Sequence, residues 1–239
     1  MSSLPFSFPL DAATIRQRRA RILAALCAQD DGFCRIPVAS VKQETLESML
    51  RLYDDLFLAG FLKRKLPGLY VTLSSRLTSS AGKFLCIRGA FGRIKEAEIR
   101  MSSDFLLRLA DGPFELNGLS VSTAQEAFLI VFEHELCHAI ETVLFRKTGH
   151  SQRFLSLANG LFGHTAMRHK LPTRRQEAAA NGLITGKSVS FTYQGQELTG
   201  IVTYVGKAAT VMVPSPQGEY RDSKGRRYTK YRVPLHKLK

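Results

Sequence analysis

The sequence predicts an α+β protein in which a larger domain of helices around a small sheet precedes a small all-β module. Three observations predict it. Apolar residues recur at three- and four-residue steps in four segments, the pattern of helices with one buried face. Short runs rich in β-branched and aromatic residues, bounded by Gly, Pro and Ser, separate the second of these segments from the third. Beyond Gly186 the helical period gives way to short alternating strands with regular turn signals, as in a small antiparallel barrel similar to SH3-like modules.

Residues 1–40 are expected to form an N-terminal arm and helix. The first ten contain two prolines and little periodicity, and from about Ala12 to Ala28 one side carries Ile15, Ile22, Leu23 and Leu26 while another carries arginines. The main domain, 41–172, opens with an amphipathic helix from about Glu44 to Phe57, where Leu46, Met49, Leu50, Tyr53 and Phe57 recur at helical steps. Strands are expected at Tyr70–Leu73, Gly82–Ile87 and Glu98–Met101. A long helix follows from Thr123 to about Lys147, with Thr123 as N-cap, Glu126 in position for a capping box, and Gly149 as a stop. A shorter helix runs from Gln152 to Leu161 and ends before Gly163. Residues 173–186 read as a linker, and 187–239 hold strands near Val189–Tyr193, Thr199–Tyr204 and Ala209–Val213.

Composition bounds the function. At 44% hydrophobic and 23% charged over 239 residues the usage is that of a soluble globular chain, and the longest apolar run near the middle, Ala127–Phe132, is far too short to span a bilayer. The N-terminus lacks the basic start, apolar stretch and small-residue cleavage site of a secretory signal, which predicts a protein that is not secreted and works in the cytoplasm beside the nucleoid or in a nucleus. Cys27, Cys34, Cys86 and Cys137 form no CxxC pair, so neither a disulfide framework nor a cysteine-rich zinc finger is expected. The net charge of +14 is uneven: residues 168–239 hold 14 Lys and Arg against 4 Asp and Glu. A concentrated basic segment is the electrostatic footprint of a nucleic-acid partner, because each neutralised phosphate releases counterions.

The chemistry concentrates in His134-Glu135-Leu136-Cys137-His138. Two imidazoles four residues apart lie on one face of a helix and can reach one zinc ion, while the carboxylate one position along stands beside the open coordination site. There Glu135 can take a proton from a water acidified by the metal. Cys137 falls on a different side of the helix and reads as a buried thiol. A catalytic zinc takes three protein ligands and leaves one position for water. The metzincin pattern would need Gly at 141 and His at 144, where this chain has Glu141 and Leu144. His150, directly after a helix stop, ranks first as third ligand, with His164, His169 and Glu177 as rivals.

The run His134 to Ala139 followed by Gly149-His150-Ser151-Gln152-Arg153-Phe154 resembles the SprT-like (Spartan-type) metalloproteases, whose pattern is HExxH, a short spacer and a GH that supplies the third ligand. Leu52 to Phe57, Leu66-Pro67, Ser74 to Leu77, Ala81-Gly82 and Ile99 to Ser102 resemble the segments that lead to the family's active-site helix, so the likeness covers about residues 44–170. It implies a zincin-like metalloprotease domain with HExxH on a long helix, one catalytic Zn2+ held by His134, His138 and His150, and Glu135 as the catalytic glutamate. Because the family includes DNA-dependent proteases that cut proteins crosslinked to DNA, it also implies a protein substrate and DNA, single- or double-stranded, as partner. The chain departs from many relatives in having a basic segment where they carry a four-cysteine zinc ribbon.

Within that segment Lys207, Arg221, Lys224, Arg226, Arg227, Lys230 and Arg232 alternate with Tyr204, Tyr220, Tyr228 and Tyr231, a mixture suited to phosphate contacts and base stacking. The function expected is therefore a zinc endopeptidase acting on DNA-associated or DNA-crosslinked proteins. Two other readings stand beside it: a non-catalytic nucleic-acid-binding protein with a structural zinc, and a zinc hydrolase of small amides.

Overall fold

The computed structural model describes residues 4–35, 38–109, 113–167 and 171–239. The chain divides into two compact units, Met1–Leu171 and Pro172–Lys239.

In the first unit, α1 (Ala12–Gln29) starts where the Asp11 carboxylate accepts the Thr14 amide, and it buries Ile15, Ile22 and Leu26. Ile22 and Leu26 join the main core, so the N-terminal helix is integral to the unit. A short turn, α2 (Asp31–Cys34), leads to α3 (Gln43–Leu58) and α4 (Phe61–Lys65). Two buried aspartates pin these joints. Asp30 accepts the amides of Gly32, Phe33 and Lys42 and the Thr45 hydroxyl, and Asp54 accepts the amides of Leu62 and Lys63.

The sheet follows as β1 (Leu69–Ser74), β2 (Gly82–Arg88) and β3 (Ile94–Ser102), ordered β1-β3-β2. β1 runs parallel to β3 and β2 antiparallel to it, with Val71 opposite Ile99 and Gly82 opposite Met101. β2 is thus an edge strand. A one-turn helix α5 (Ser103–Leu106) and a hairpin of β4 (Phe114–Leu116) and β5 (Leu119–Val121) precede α6 (Ala124–Phe145). The Thr123 hydroxyl and Glu126 carboxylate form the expected capping box, and the helix stops at Arg146 in the left-handed region, three residues before Gly149. α7 (Gln152–Phe162) ends on Gly163 at φ 75°, a C-cap that a glycine adopts without steric cost.

α6 is buried on nearly every side from Ala124 to Thr142, because it runs through the middle of the unit. Tyr53 and Phe57 from α3, Phe132 from α6 and Phe162 from α7 meet with ring centroids 5.1 to 5.9 Å apart. Each such ring contributes about 1.5–3 kcal/mol by leaving water. The cluster fixes the rotation of α6 about its axis and so decides which side chains face the cavity beside β2.

The second unit begins with α8 (Arg174–Ala180), inside the segment read as a linker; Thr173 and Gln176 cap it reciprocally and Ala178 enters the unit's core. Five strands follow: β6 (Ser188–Tyr193), β7 (Gln196–Val205), β8 (Ala208–Pro214), β9 (Tyr220–Arg221) and β10 (Arg227–Pro234), all antiparallel in the order β6-β7-β8-β10-β9. Val189, Phe191, Val202, Val211 and Val233 line the inner face. The expected barrel closure is absent among the described residues. β9 has only two paired residues, too few to reach across to β6, although Ser190 and Lys239 exchange two backbone hydrogen bonds at that other edge.

Candidate metal centre

His134 and His138 lie one turn apart on α6, and His150 enters from the loop that joins α6 to α7. The three Nε2 atoms converge: His134 to His150 is 2.9 Å and His134 to His138 is 3.2 Å. Nitrogens coordinated tetrahedrally at about 2.0–2.1 Å stand roughly 3.3 Å apart, so the separations are close to those of a ligand set. The outer nitrogens are already engaged. Nδ1 of His138 is 2.7 Å from the Thr148 hydroxyl, and Nδ1 of His134 is 3.4 Å from the Asn117 side-chain amide. In the tautomer with the ring protons on Nδ1, the Nε2 lone pairs face one another, an arrangement that repels unless a cation sits between them. The residues therefore fit a metal ion, and His134, His138 and His150 are the group that could hold one.

Each ligand is held from behind. Phe154 is fully buried and stacks on His138 with centroids 4.5 Å apart, and it also contacts the rings of His134 and His150. Glu141, buried one turn beyond His138, accepts the Gly149 amide at 3.0 Å and the Arg153 Nε at 2.9 Å. That carboxylate fixes the turn that delivers His150. Arg153 in addition stacks over Phe145 at 4.3 Å.

Beneath His134 lies a second buried network. Glu133 accepts both Nε and Nη2 of Arg19 at 2.8 Å, the Tyr53 hydroxyl at 2.7 Å and Nε2 of His164 at 2.8 Å. Burial pushes the Glu133 carboxyl up, but the Arg19 charge and the His164 hydrogen bond outweigh it and hold the pKa at about 2. The same site pushes the Tyr53 phenol well above its ordinary value through burial and the Glu133 charge. On the other side of His164, Nδ1 is 3.1 Å from the Asn117 amide, so Asn117 bridges His164 and His134. The same Asn117 amide nitrogen lies against both ring nitrogens, and it donates to Nδ1 of His164, whose Nε2 proton goes to Glu133. Asn117 adopts φ 51° at the tip of the β4–β5 hairpin, a left-handed conformation that Asn tolerates better than most residues.

Glu135 is buried and lines a cavity of about 360 Å³ with the three histidines, Phe105, Thr148 and residues 79–84 of the edge strand and its approach. A Cβ on Gly82 would fall 2.7 Å from Cγ and 2.9 Å from Oε1 of Glu135, so glycine there makes room for the carboxylate. Cys137 points into the core, where burial and the nearby carboxylates push its thiol well above the ordinary range, as an inert buried thiol requires.

Of the rival third ligands, His164 is bonded into the Glu133 network, Glu177 lies on α8 of the second unit, and His169 falls outside the described residues. Sequence reasoning missed Glu133, Glu141, Asn117 and Arg19. Only the charges at Glu133 and Glu141, set in an otherwise apolar helix, offered a signal.

In the second unit the seven nominated cations are not one cluster. Register puts Tyr228, Lys230 and Arg232 of β10 opposite Pro214, Met212 and Thr210, all on the outer face. Tyr220 and Tyr204 share that face, and Lys230 stands 4.7 Å over the Tyr220 ring. Arg226 is paired with Asp222, Arg227 donates to the Gly218 carbonyl, Arg221 is paired across from Arg227, and Lys207 and Lys224 sit in the turns after β7 and β9.

A long buried helix bearing two histidines and a glutamate, completed by a third histidine from the following loop, defines the class: an α+β protein with a three-histidine cluster that could hold a metal ion beside a cleft. The SprT-like family model matches residues 46–176, more than half of the chain, and the protein belongs to the SprT-like family. Comparison with curated proteins and with solved structures finds no match. Among the described residues no helix is long and apolar enough to cross a membrane.

Proposed function

We propose that the protein is a zinc-dependent endopeptidase that acts on DNA-associated or DNA-crosslinked proteins. The observation that carries the peptidase reading is Glu135 in the same cavity as three converging imidazoles, a set that would hold a zinc ion with three protein ligands and leave a position for water. Three imidazole nitrogens suit zinc among the common metals. Zinc bound there supplies Lewis acidity to the scissile carbonyl and the attacking water. Glu135 takes the proton as the water oxygen joins the carbonyl carbon, and delivers it to the amine nitrogen as the C–N bond breaks. Phe154, Thr148 and Glu141 keep the histidines oriented throughout. β2 supports a peptide substrate, since an extended chain can add to an edge strand by main-chain hydrogen bonds beside the site.

The nucleic-acid partner is supported by the +10 charge of residues 168–239 and by Lys230 and Arg232 sharing an exposed sheet face with Tyr204, Tyr220 and Tyr228. Five antiparallel strands, with a register shift in β7 between Val202 and Tyr204, form the sheet that carries this face. The test is cleavage of a disordered DNA-binding protein by the wild type and Glu135→Gln, with and without single- or double-stranded DNA. Cleavage by the wild type that requires DNA and is lost in the zinc-loaded variant supports both halves of the proposal. DNA-independent cleavage sinks the nucleic-acid half, and equal inactivity of two zinc-loaded proteins sinks the peptidase half.

A further inference from the structure

The hairpin that joins β2 to β3 carries a feature that the metal centre does not use. Its turn, Ala90 to Arg93, puts Phe91 at φ 58° and Gly92 at φ 74°. Two successive left-handed residues make the tight turn that Asn-Gly ordinarily fills. A phenylalanine at the first position is strained, and this ring is 100% exposed, so it gains no packing in return. Strain retained without a folding benefit points to a role in contact.

The surroundings are cationic. Beside the turn lies a cavity of about 400 Å³ bordered by Lys65, Arg88, Arg93, Lys95 and Arg146, with Glu96 the one carboxylate on its wall. Glu96 accepts the Tyr70 hydroxyl, and among the described residues none of the five cations has a carboxylate within ion-pair distance. Arg88 donates to the Gly92 carbonyl at 3.2 Å and to the Arg146 carbonyl at 3.0 Å, which ties the turn to the end of α6. A cation at a helix C-terminus explains Arg88 by itself. It leaves Lys65, Arg93 and Lys95 gathered around one hollow with no ion-pair partner among the described residues.

We propose that this hairpin is a second nucleic-acid contact, on the unit that holds the metal centre: Phe91 stacks on an unpaired base while the cations of the adjoining cavity take the backbone phosphates on either side. An aromatic platform next to a basic groove is how sequence-tolerant single-strand binding is built. A concave group of cations favours a strand that curls past the ring over a flat lipid surface. The proposal shares the nucleic-acid partner with the function proposed above and is independent of the peptidase chemistry.

The test measures binding of the full chain to a labelled oligo-dT strand and to an abasic strand of equal length, together with sedimentation on phosphatidylserine vesicles. Phe91→Asn removes the ring yet suits the left-handed turn, so the variant folds. It is expected to melt no lower than the wild type and to bind oligo-dT about ten-fold more weakly, with abasic binding unchanged. Arg93→Ala/Lys95→Ala is expected to weaken both strands and to lower the salt dependence. If Phe91→Asn binds oligo-dT like the wild type while Lys230→Ala/Arg232→Ala does not, the hairpin proposal fails and the β10 face remains the contact. If the wild type binds neither strand, the nucleic-acid partner itself fails. Phe91-dependent binding to vesicles without binding to either strand overturns the proposal in favour of a membrane surface.

Discussion

In the first unit Arg19 and Glu133 meet at 2.8 Å with the carboxylate wholly buried, whereas in the second Arg226 and Asp222 meet at 2.7 Å with the arginine 66% exposed. The contact distances differ by 0.1 Å, and their worth differs far more. Glu133 also receives Tyr53 and His164, so its charge is satisfied in a place that water cannot reach, and losing one partner strands the others. Arg226 and Asp222 lose only a contact that solvent replaces. Burial, and not proximity, divides a unit built to hold a fixed geometry from one that presents adaptable charge on an open sheet.

Breaking the buried pair gives the largest expected effect. Glu133→Ala is expected to destabilise the first unit by about 3–5 kcal/mol, read from urea denaturation, because Arg19 then remains buried without its carboxylate. The pH dependence sharpens the same point. The folded pKa of Glu133, about 2, lies below its ordinary 4.5, so between these values the unfolded chain binds the extra proton. Its contribution is present above about pH 4.5 and is lost as pH falls toward 2. Stability measured across this window is expected to fall less steeply in Glu133→Gln than in the wild type.

Smaller effects are expected behind the three histidines. Asn117→Ala is expected to weaken zinc binding by about 10–100-fold in a competition titration, since His134 loses the partner that orients its Nδ1. A wild-type affinity would remove Asn117 from the support of the site. Arg226→Ala completes the comparison at the other end, with a melting temperature indistinguishable from the wild type. A clear drop there would mean that the second unit relies on its surface ion pairs after all.

What could be read from the sequence follows the range of the interactions. The helix that carries His134 and His138 was legible because its signals are local: the Thr123–Glu126 capping box, the apolar run through Phe132, and two histidines at a helical step. The convergence of His150 with them was legible from the helix stop before it. Glu133 was not, because its partners come from 114, 80 and 31 residues away in the chain, and only the packing of α1, α3 and the end of α7 against α6 brings them in. β10 was read as a charged, tyrosine-rich tail since its outer residues are polar and its inner face is marked mainly by Tyr231 and Val233. α8 was missed because a single alanine anchors it. The strained turn at Phe91 was invisible for a different reason: Phe-Gly carries none of the turn preference that Asn-Gly does.

The most direct test of the metal centre is zinc K-edge X-ray absorption on the wild type and Glu135→Gln, each loaded with one equivalent of zinc. The geometry predicts three imidazole nitrogens and one exchangeable oxygen at about 2.0–2.1 Å in both proteins, with peptide cleavage lost only in the variant. A sulfur neighbour, or a fourth protein nitrogen closing the site, would contradict it.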